Sequence, residues 1–296
     1  MALEEVRVTG FAYAGLATKL LQRARLADAE AGLWEAADVQ WWCRKPRRSD
    51  ELEQLFWTDD DGPVAAVLLT DFGRAWQCDA VVVPGVSSIA PSTVWARAAE
   101  AIDALRPEAV EVFARDDDFA FVDVLHRGGF VANSRSGIAW MNADARSEVA
   151  NLPEGFVLVD RADETIKPHP MRRRNGEGIE ARLRRCSLYD PAIDLAVEAA
   201  DGRVAGCALF WFDPVTEVGL VEPMRVEDEY QRRGLARAML TSGLDRLARL
   251  GARRIKVGYS SDEAGALYRG VGFRLTSTTT TYLLAAGTPA ALHPAK

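Results

Sequence analysis

A strand-like run, Gly219-Leu-Val-Glu222-Pro223-Met224-Arg225-Val226, leads into Glu227-Asp-Glu-Tyr-Gln231-Arg232-Arg233-Gly234, and at that glycine an apolar pattern of helical period begins. A helix start presents amides without intrahelical partners and the positive end of the helix dipole, which together bind phosphate oxygens. Gly234 lets an anion approach the backbone, Arg232 and Arg233 put positive charge where a pyrophosphate would sit, and Ala236 keeps the first turn small. The turn has the chemistry of a pyrophosphate cradle, although an Arg-Arg-Gly turn taken alone better suits a solvated surface before an amphipathic helix. Upstream, Glu222 stands two residues before Met224, and a period of two places it on one face with Leu220, Met224 and Val226. A carboxylate among apolar neighbours is desolvated and becomes a better base near neutrality. The plainer role is a surface Glu on an outer strand. Pro223 cannot donate to a ladder and so marks an edge, bulge or break.

The elements that must hold these residues are legible from period and punctuation. A strand is expected at Phe156–Asp160, a partly helical Arg-rich stretch from Glu177 to Arg185, and antiparallel strands at Leu195–Ala199, Val204–Phe212 and Glu217–Val226, with Asp213-Pro214 turning the last two. Leu235, Met239, Leu240, Leu244 and Leu247 predict a helix over Leu235–Leu250, stopped by Gly251. A strand at Ile255–Tyr259, a short helix at Glu263–Arg269 and a β-branched strand at Thr276–Leu284 follow.

The first half predicts the same order: helix Ala14–Glu30, strands Val39–Cys43, Val64–Thr70 and Trp76–Val83, helix Thr93–Leu105, strand Val110–Ala114, helix Phe119–Leu125 and strand Ile138–Asn142. Two local matches support a duplication. Gly62-Pro-Val-Ala-Ala-Val-Leu-Leu69 reads like Gly202-Arg-Val-Ala-Gly-Cys-Ala-Leu209, and His126-Arg-Gly-Gly-Phe130 like Tyr268-Arg-Gly-Val-Gly-Phe273. The polar stretch Ala143–Pro153 is the expected linker, dividing the chain into domains 1–148 and 149–296.

The segment Val226-Glu-Asp228-Glu-Tyr-Gln231-Arg-Arg-Gly234-Leu-Ala236 resembles the acetyl-CoA motif of the GNAT N-acetyltransferase superfamily, with Asp228 replacing the usual proline. Ala264-Gly-Ala-Leu-Tyr268-Arg-Gly-Val-Gly272-Phe273 is similar to that family's second signature. The resemblance implies an α/β (α+β) fold of two tandem GNAT-like domains, each a mixed, mostly antiparallel sheet flanked by helices. It implies transfer of an acetyl group from acetyl-CoA to a primary amine, with Glu222 as base and Tyr268 as acid. Backbone groups of Met224, Arg225 and Val226 would hold the pantetheine arm beside a parted strand. Gln231, Arg232, Arg233, Gly234, Leu235 and Ala236 would form the pyrophosphate turn. Ser261 stands where the family often has an Asn touching the pantetheine. In the first half Ser87, Ile89 and Ala90 face Gln231, Arg233 and Gly234, Pro91 removes an amide, and Leu125 faces Tyr268, so that half reads as degenerate. His126 is expected to be structural. The length and tandem layout are also similar to the mycothiol synthases, and a non-catalytic acyl-CoA-binding sensor is the alternative from another class.

Composition bounds the remainder. The 296 residues carry 36 basic and 43 acidic side chains, a net charge of −7 that argues against a nucleic-acid partner. Cys43, Cys78, Cys186 and Cys207 form no CxxC pair and only three histidines are present, so no metal site is expected and a reducing, cytoplasmic location fits. No apolar run approaches membrane-spanning length. The expected partner is a small-molecule amine, with the protein a monomer or homodimer. Arg172-Arg173-Arg174, Arg182, Arg184 and Arg185 form a basic cluster that suits a solvated helix face, an anionic acceptor or the CoA 3′-phosphate. Trp34, Trp41, Trp42, Trp57, Trp76 and Trp95 crowd the first half and should mostly be core.

Overall fold

The computed structural model describes residues 3–162 and 167–285. In chain order the first half runs β1 (Glu4–Val8), α1 (Ala12–Ala27), α2 (Ala36–Trp42), β2 (Gln54–Asp59), β3 (Gly62–Asp71), β4 (Trp76–Val82), α3 (Pro91–Leu105), β5 (Ala109–Arg115), α4 (Phe119–Arg127) and β6 (Val131–Asn142). The second half runs β7 (Phe156–Asp160), α5 (Arg172–Asn175), α6 (Ile179–Leu183), β8 (Asp194–Ala199), β9 (Val204–Asp213), β10 (Val218–Val226), α7 (Leu235–Leu250), β11 (Arg254–Tyr259), α8 (Asp262–Arg269) and β12 (Arg274–Ala285).

The fold is mixed α/β, as the sequence predicts, and most elements fall within a few residues of their predicted bounds. One expected strand is a correction. Val39–Cys43 is largely the second turn of helix α2, because a short apolar run reads alike in a strand and in a buried helix. The strand in its place is β2, whose Leu55-Phe56-Trp57 pairs with Val67-Ala66-Ala65 of β3. The expected Glu177–Arg185 helix shortens to α6, and α1 stops at Ala27.

Two compact units result, and they interleave along the chain where the sequence suggested consecutive ranges. The first comprises the chain up to Val39, Pro46–Ser136 and the segment from Ser277 onward; the second comprises Gln40–Lys45 and Gly137–Thr276. In the first the strand order is β1-β2-β3-β4-β5-β12, with Thr279–Ala285 antiparallel to Arg115–Ala109. Asp116 anchors this closing strand by accepting from Thr278 Oγ1 at 2.6 Å and Thr280 Oγ1 at 2.7 Å. In the second the order is β6-β11-β10-β9-β8-β7, with Gly137–Asn142 of β6 antiparallel to Tyr259–Arg254. Arg254 stacks on the Trp140 ring there, 4.4 Å from its centroid. Each unit thus closes its sheet with the strand that ends the other half of the chain.

Strands β4/β5 and β10/β11 pair in parallel. One sheet face of the second unit packs on α7 and α8 through Leu195, Phe210, Val221, Met239, Leu244, Val257 and Tyr268. The first unit's core, with Trp57, Val67, Trp76, Cys78, Trp95 and Leu125, packs on α3 and α4. Trp34, expected with the core tryptophans, is half-buried. The predicted linker is no loose tether: Ala143 N–H donates to Arg253 O at 2.9 Å and Ala150 N–H to Thr241 Oγ1 at 2.9 Å. Among the described residues no helix is long and apolar enough to cross a membrane.

Candidate active site

Strand β10 carries the features on which the site depends. Its ladder with β9 steps from Val221·Phe210 to Met224·Ala208, so one extra residue bulges out at Glu222-Pro223. Proline suits that position because it has no N–H to lose from the ladder. The parallel ladder with β11 ends at Val221·Val257, so beyond this point the two strands part. Only alternate residues of Met224–Val226 bond to β9. The others present their peptide groups to the space that β11 leaves.

The bulge corrects an expectation about faces. Val221, Met224 and Val226 all pack toward the α7 core, whereas Leu220 and its cross-strand partner Trp211 lie outside it. An inserted residue shifts the period of two by one, so Glu222 shares its face with Leu220 but not with Met224 or Val226. Glu222 is half-buried, and its carbonyl accepts from Trp211 Nε1 at 2.7 Å. Trp211 escaped the sequence reading; its place in the alternating run of β9 was the available signal.

Tyr268 is 6% exposed on α8, with Tyr259 and Phe273 rings 5.9 and 5.7 Å from its own. Burial pushes its phenol well above the usual tyrosine range, and the negative charge of Glu222 adds to the effect. The two groups are therefore within electrostatic reach, and the phenol stays protonated at neutral pH.

At the end of β10 a single 3-10 turn, Asp228–Tyr230, leads to Gln231, then to Arg232 and Gly234 with φ of 61° and 82°. Gly234 caps α7, and its left-handed backbone is one that a side chain strains. A Cβ built there meets nothing within 4 Å, so the backbone faces open space. The first amide bonded back to the turn is Ala238 N–H to Gly234 O at 3.1 Å, which leaves the preceding amides for an outside acceptor. These features fit a diphosphate.

The neighbouring side chains divide into those facing that space and those committed elsewhere. Gln231 folds back on the turn, donating to Val226 O at 3.3 Å and Asp228 Oδ1 at 3.2 Å. Arg233 lies 5.5 Å from the Tyr230 ring centroid and donates to Glu229 O, and Arg225 pairs with Asp228 at 3.2 Å. Arg232 is exposed and Ala236 half-buried, while Leu235 turns its side chain into the core. Ser261 caps α8, its hydroxyl accepting from Ala264 N–H at 3.2 Å. Much of the basic cluster is paired as well: Arg174 with Glu227, Arg172 with Glu177 and Arg184 with Glu180.

A polar network beneath β8 was also missed. His169 Nε2 and Asp194 Oδ2 are 2.8 Å apart although 25 residues separate them in sequence, and Tyr189 OH donates to the same oxygen at 2.9 Å. His169 and Asp194 line a cavity of about 350 Å³. The four cysteines are buried and none is in a disulfide, and His126 packs edge-on against Tyr282 at 5.5 Å.

Comparison with known proteins agrees with this geometry. Residues 161–273 match the acetyltransferase (GNAT) family. A mycothiol acetyltransferase from Clavibacter michiganensis subsp. michiganensis (strain NCPPB 382) is 29% identical over 231 residues, covering 72% of this chain and 70% of the relative. A tandem GNAT protein from the clavulanic acid biosynthesis pathway superposes with a TM-score of 0.68 at 16% identity, covering 100% of both chains. A GCN5-related N-acetyltransferase from Sphaerobacter thermophilus gives 0.62 at 17% identity, covering 99% of this chain and 97% of its own. Residues 161–273 thus match the acetyltransferase (GNAT) family, and the chain as a whole has the fold of a tandem GNAT protein.

Proposed function

We propose that the second unit transfers an acetyl group from acetyl-CoA to the primary amine of a small molecule, with Glu222 as base and Tyr268 as acid. One observation carries the reading: the bulge at Glu222-Pro223 coincides with the point where β10 and β11 part, upstream of the helix-start turn. Acetyl-CoA supplies the activated thioester. The amides at the start of α7 and the guanidinium of Arg232 hold its diphosphate, and free peptide groups of Met224–Val226 align its pantetheine arm.

An alkylamine with a pKa of about 10.4 is almost wholly protonated at neutral pH, so the acceptor must lose a proton before it attacks. Glu222, half-buried at the mouth of the gap, takes that proton directly or through water. An amide of β10 steadies the oxygen that becomes anionic. Tyr268, held protonated by burial and by Glu222, donates a hydrogen bond to the departing sulfur.

The test is calorimetry with acetyl-CoA followed by thiol release against a panel of amines. Coenzyme uptake with turnover on at least one amine is expected. Uptake with no turnover on any amine would favour an acyl-CoA sensor, and no uptake would leave only the architecture. The mycothiol acetyltransferase relative makes a cysteinyl pseudo-disaccharide amine the first acceptor to try.

A further inference from the structure

The ladders of the two units correspond residue by residue. In the second, the core-facing pair Phe210·Val221 is followed, after the bulge, by Ala208·Met224 and Gly206·Val226. In the first, core-facing Leu69·Cys78 is followed without a bulge by Val67·Ala80 and Ala65·Val82. Glu222 follows Val221 and Asp79 follows Cys78, so the two carboxylates occupy one position and Pro223 is the inserted residue. The adjoining strand corresponds as well. Parallel pairs Gly219·Ile255 and Trp76·Val110 match buried Val257 with buried Val112, and hence Gly258 with Phe113.

At these positions the units diverge. A Cβ on Gly258 would meet nothing within 4 Å, so that wall of the gap is open. Phe113 fills the same place with a ring, and Trp34 packs edge-on against it, centroids 5.2 Å apart. Trp34 Nε1 donates to Asp79 Oδ1 at 2.7 Å, while Gln77 Nε2 donates to Oδ2 at 2.8 Å. The β4/β5 ladder has already ended at Gln77·Glu111. The indole therefore bridges two parted strands, touching a carboxylate on one and an aromatic wall on the other. It is carried on the strap between α1 and α2, which Arg115 holds by donating to Glu30 O at 2.9 Å and which the buried Arg25–Glu35 pair ends at 2.6 Å.

We propose that the first unit retains a ligand slot, closed by the chain's own Trp34, whose Asp79 and Phe113 walls suit a flat aromatic N–H donor such as an indole. This inference does not rest on acetyl transfer by the second unit, and its test uses no acetyl-CoA.

In the full chain, Trp34→Gly is expected to lower Tm, and indole at millimolar concentration to restore it saturably, with no effect on the wild type. Indene, the same shape without the N–H, should bind at least about tenfold more weakly, because a hydrogen bond to a carboxylate is at stake. A folded variant that takes up no indole, or takes up both probes equally, overturns the proposal. Should that variant not fold, Trp34→Phe keeps a ring and removes the donor. Asp79, raised to about 6 by burial, should then titrate higher, and the pH range over which stability falls should extend above about 6. An unchanged range overturns the proposal.

Discussion

Both units fold the same backbone around their Gly-Phe motif: Phe273 N–H donates to Tyr268 O at 3.1 Å, and Phe130 N–H to Leu125 O at 3.0 Å. Their helices start alike too, with Gly234 capping α7 and Ala90 capping α3, but Pro91 deletes an amide where Leu235 keeps one. The lesson is that this architecture separates scaffold from chemistry. Ladders, core and helix starts survive in both copies, while a left-handed glycine at the helix cap, a bulge where the two central strands part and a glycine in the wall of that gap mark the second. These three local features distinguish the candidate site from its counterpart in the first unit.

Identical substitutions at matched positions are the strongest way to break this contrast. Gly234→Asp should abolish acetyl-CoA uptake in calorimetry, a loss of at least about 100-fold, since a carboxylate would stand among the diphosphate's amides on strained backbone. Ala90→Asp should leave uptake unchanged and raise stability by about 0.5–1 kcal/mol, because Ala90 offers no side-chain cap now and Asp is a favoured one. The reverse pattern would move the site to the first unit.

The paired carboxylates come next. Glu222→Gln should lower kcat by about 10²–10⁴-fold with acetyl-CoA affinity nearly intact, read by thiol release and calorimetry. Asp79→Asn should leave turnover alone and change the pH dependence of stability instead. Because Asp79 is raised from 3.8 to about 6 by burial, the folded state binds its proton more tightly than the unfolded one. Its stabilising contribution is present below about pH 4 and is lost as pH rises to 6, on the order of 3 kcal/mol; the Asn variant should lack that decline in denaturant titrations. The smallest effect concerns Ser261. As a helix cap, Ser261→Ala should cost about 1 kcal/mol of stability with little change in the KM for acetyl-CoA, whereas a KM rise with unchanged stability would restore it to a pantetheine contact.

The sequence made much of this legible where pattern and punctuation agree. Helix α7 runs from Leu235 to Leu250 as its leucine spacing and Gly251 predict. Legibility failed where tertiary context decides. The run Val39–Cys43 has no period long enough to choose between helix and strand. The face of Met224 depends on a bulge that Pro223 hints at without fixing its direction of slip. His169 meets Asp194 only through folding, so no local spacing could connect the two. The turn at Gly234 was readable because a helix start, a glycine and two arginines are all local signals.

The reciprocal closing strands give the protein an unusual indivisibility. A fragment ending near residue 148 would keep six residues, Gly137–Asn142, whose partner β11 is missing, and would leave the β5 edge bare where β12 belongs. Unpaired strand edges invite association with other chains. Neither half of the chain is therefore expected to fold well alone, whatever chemistry each unit performs.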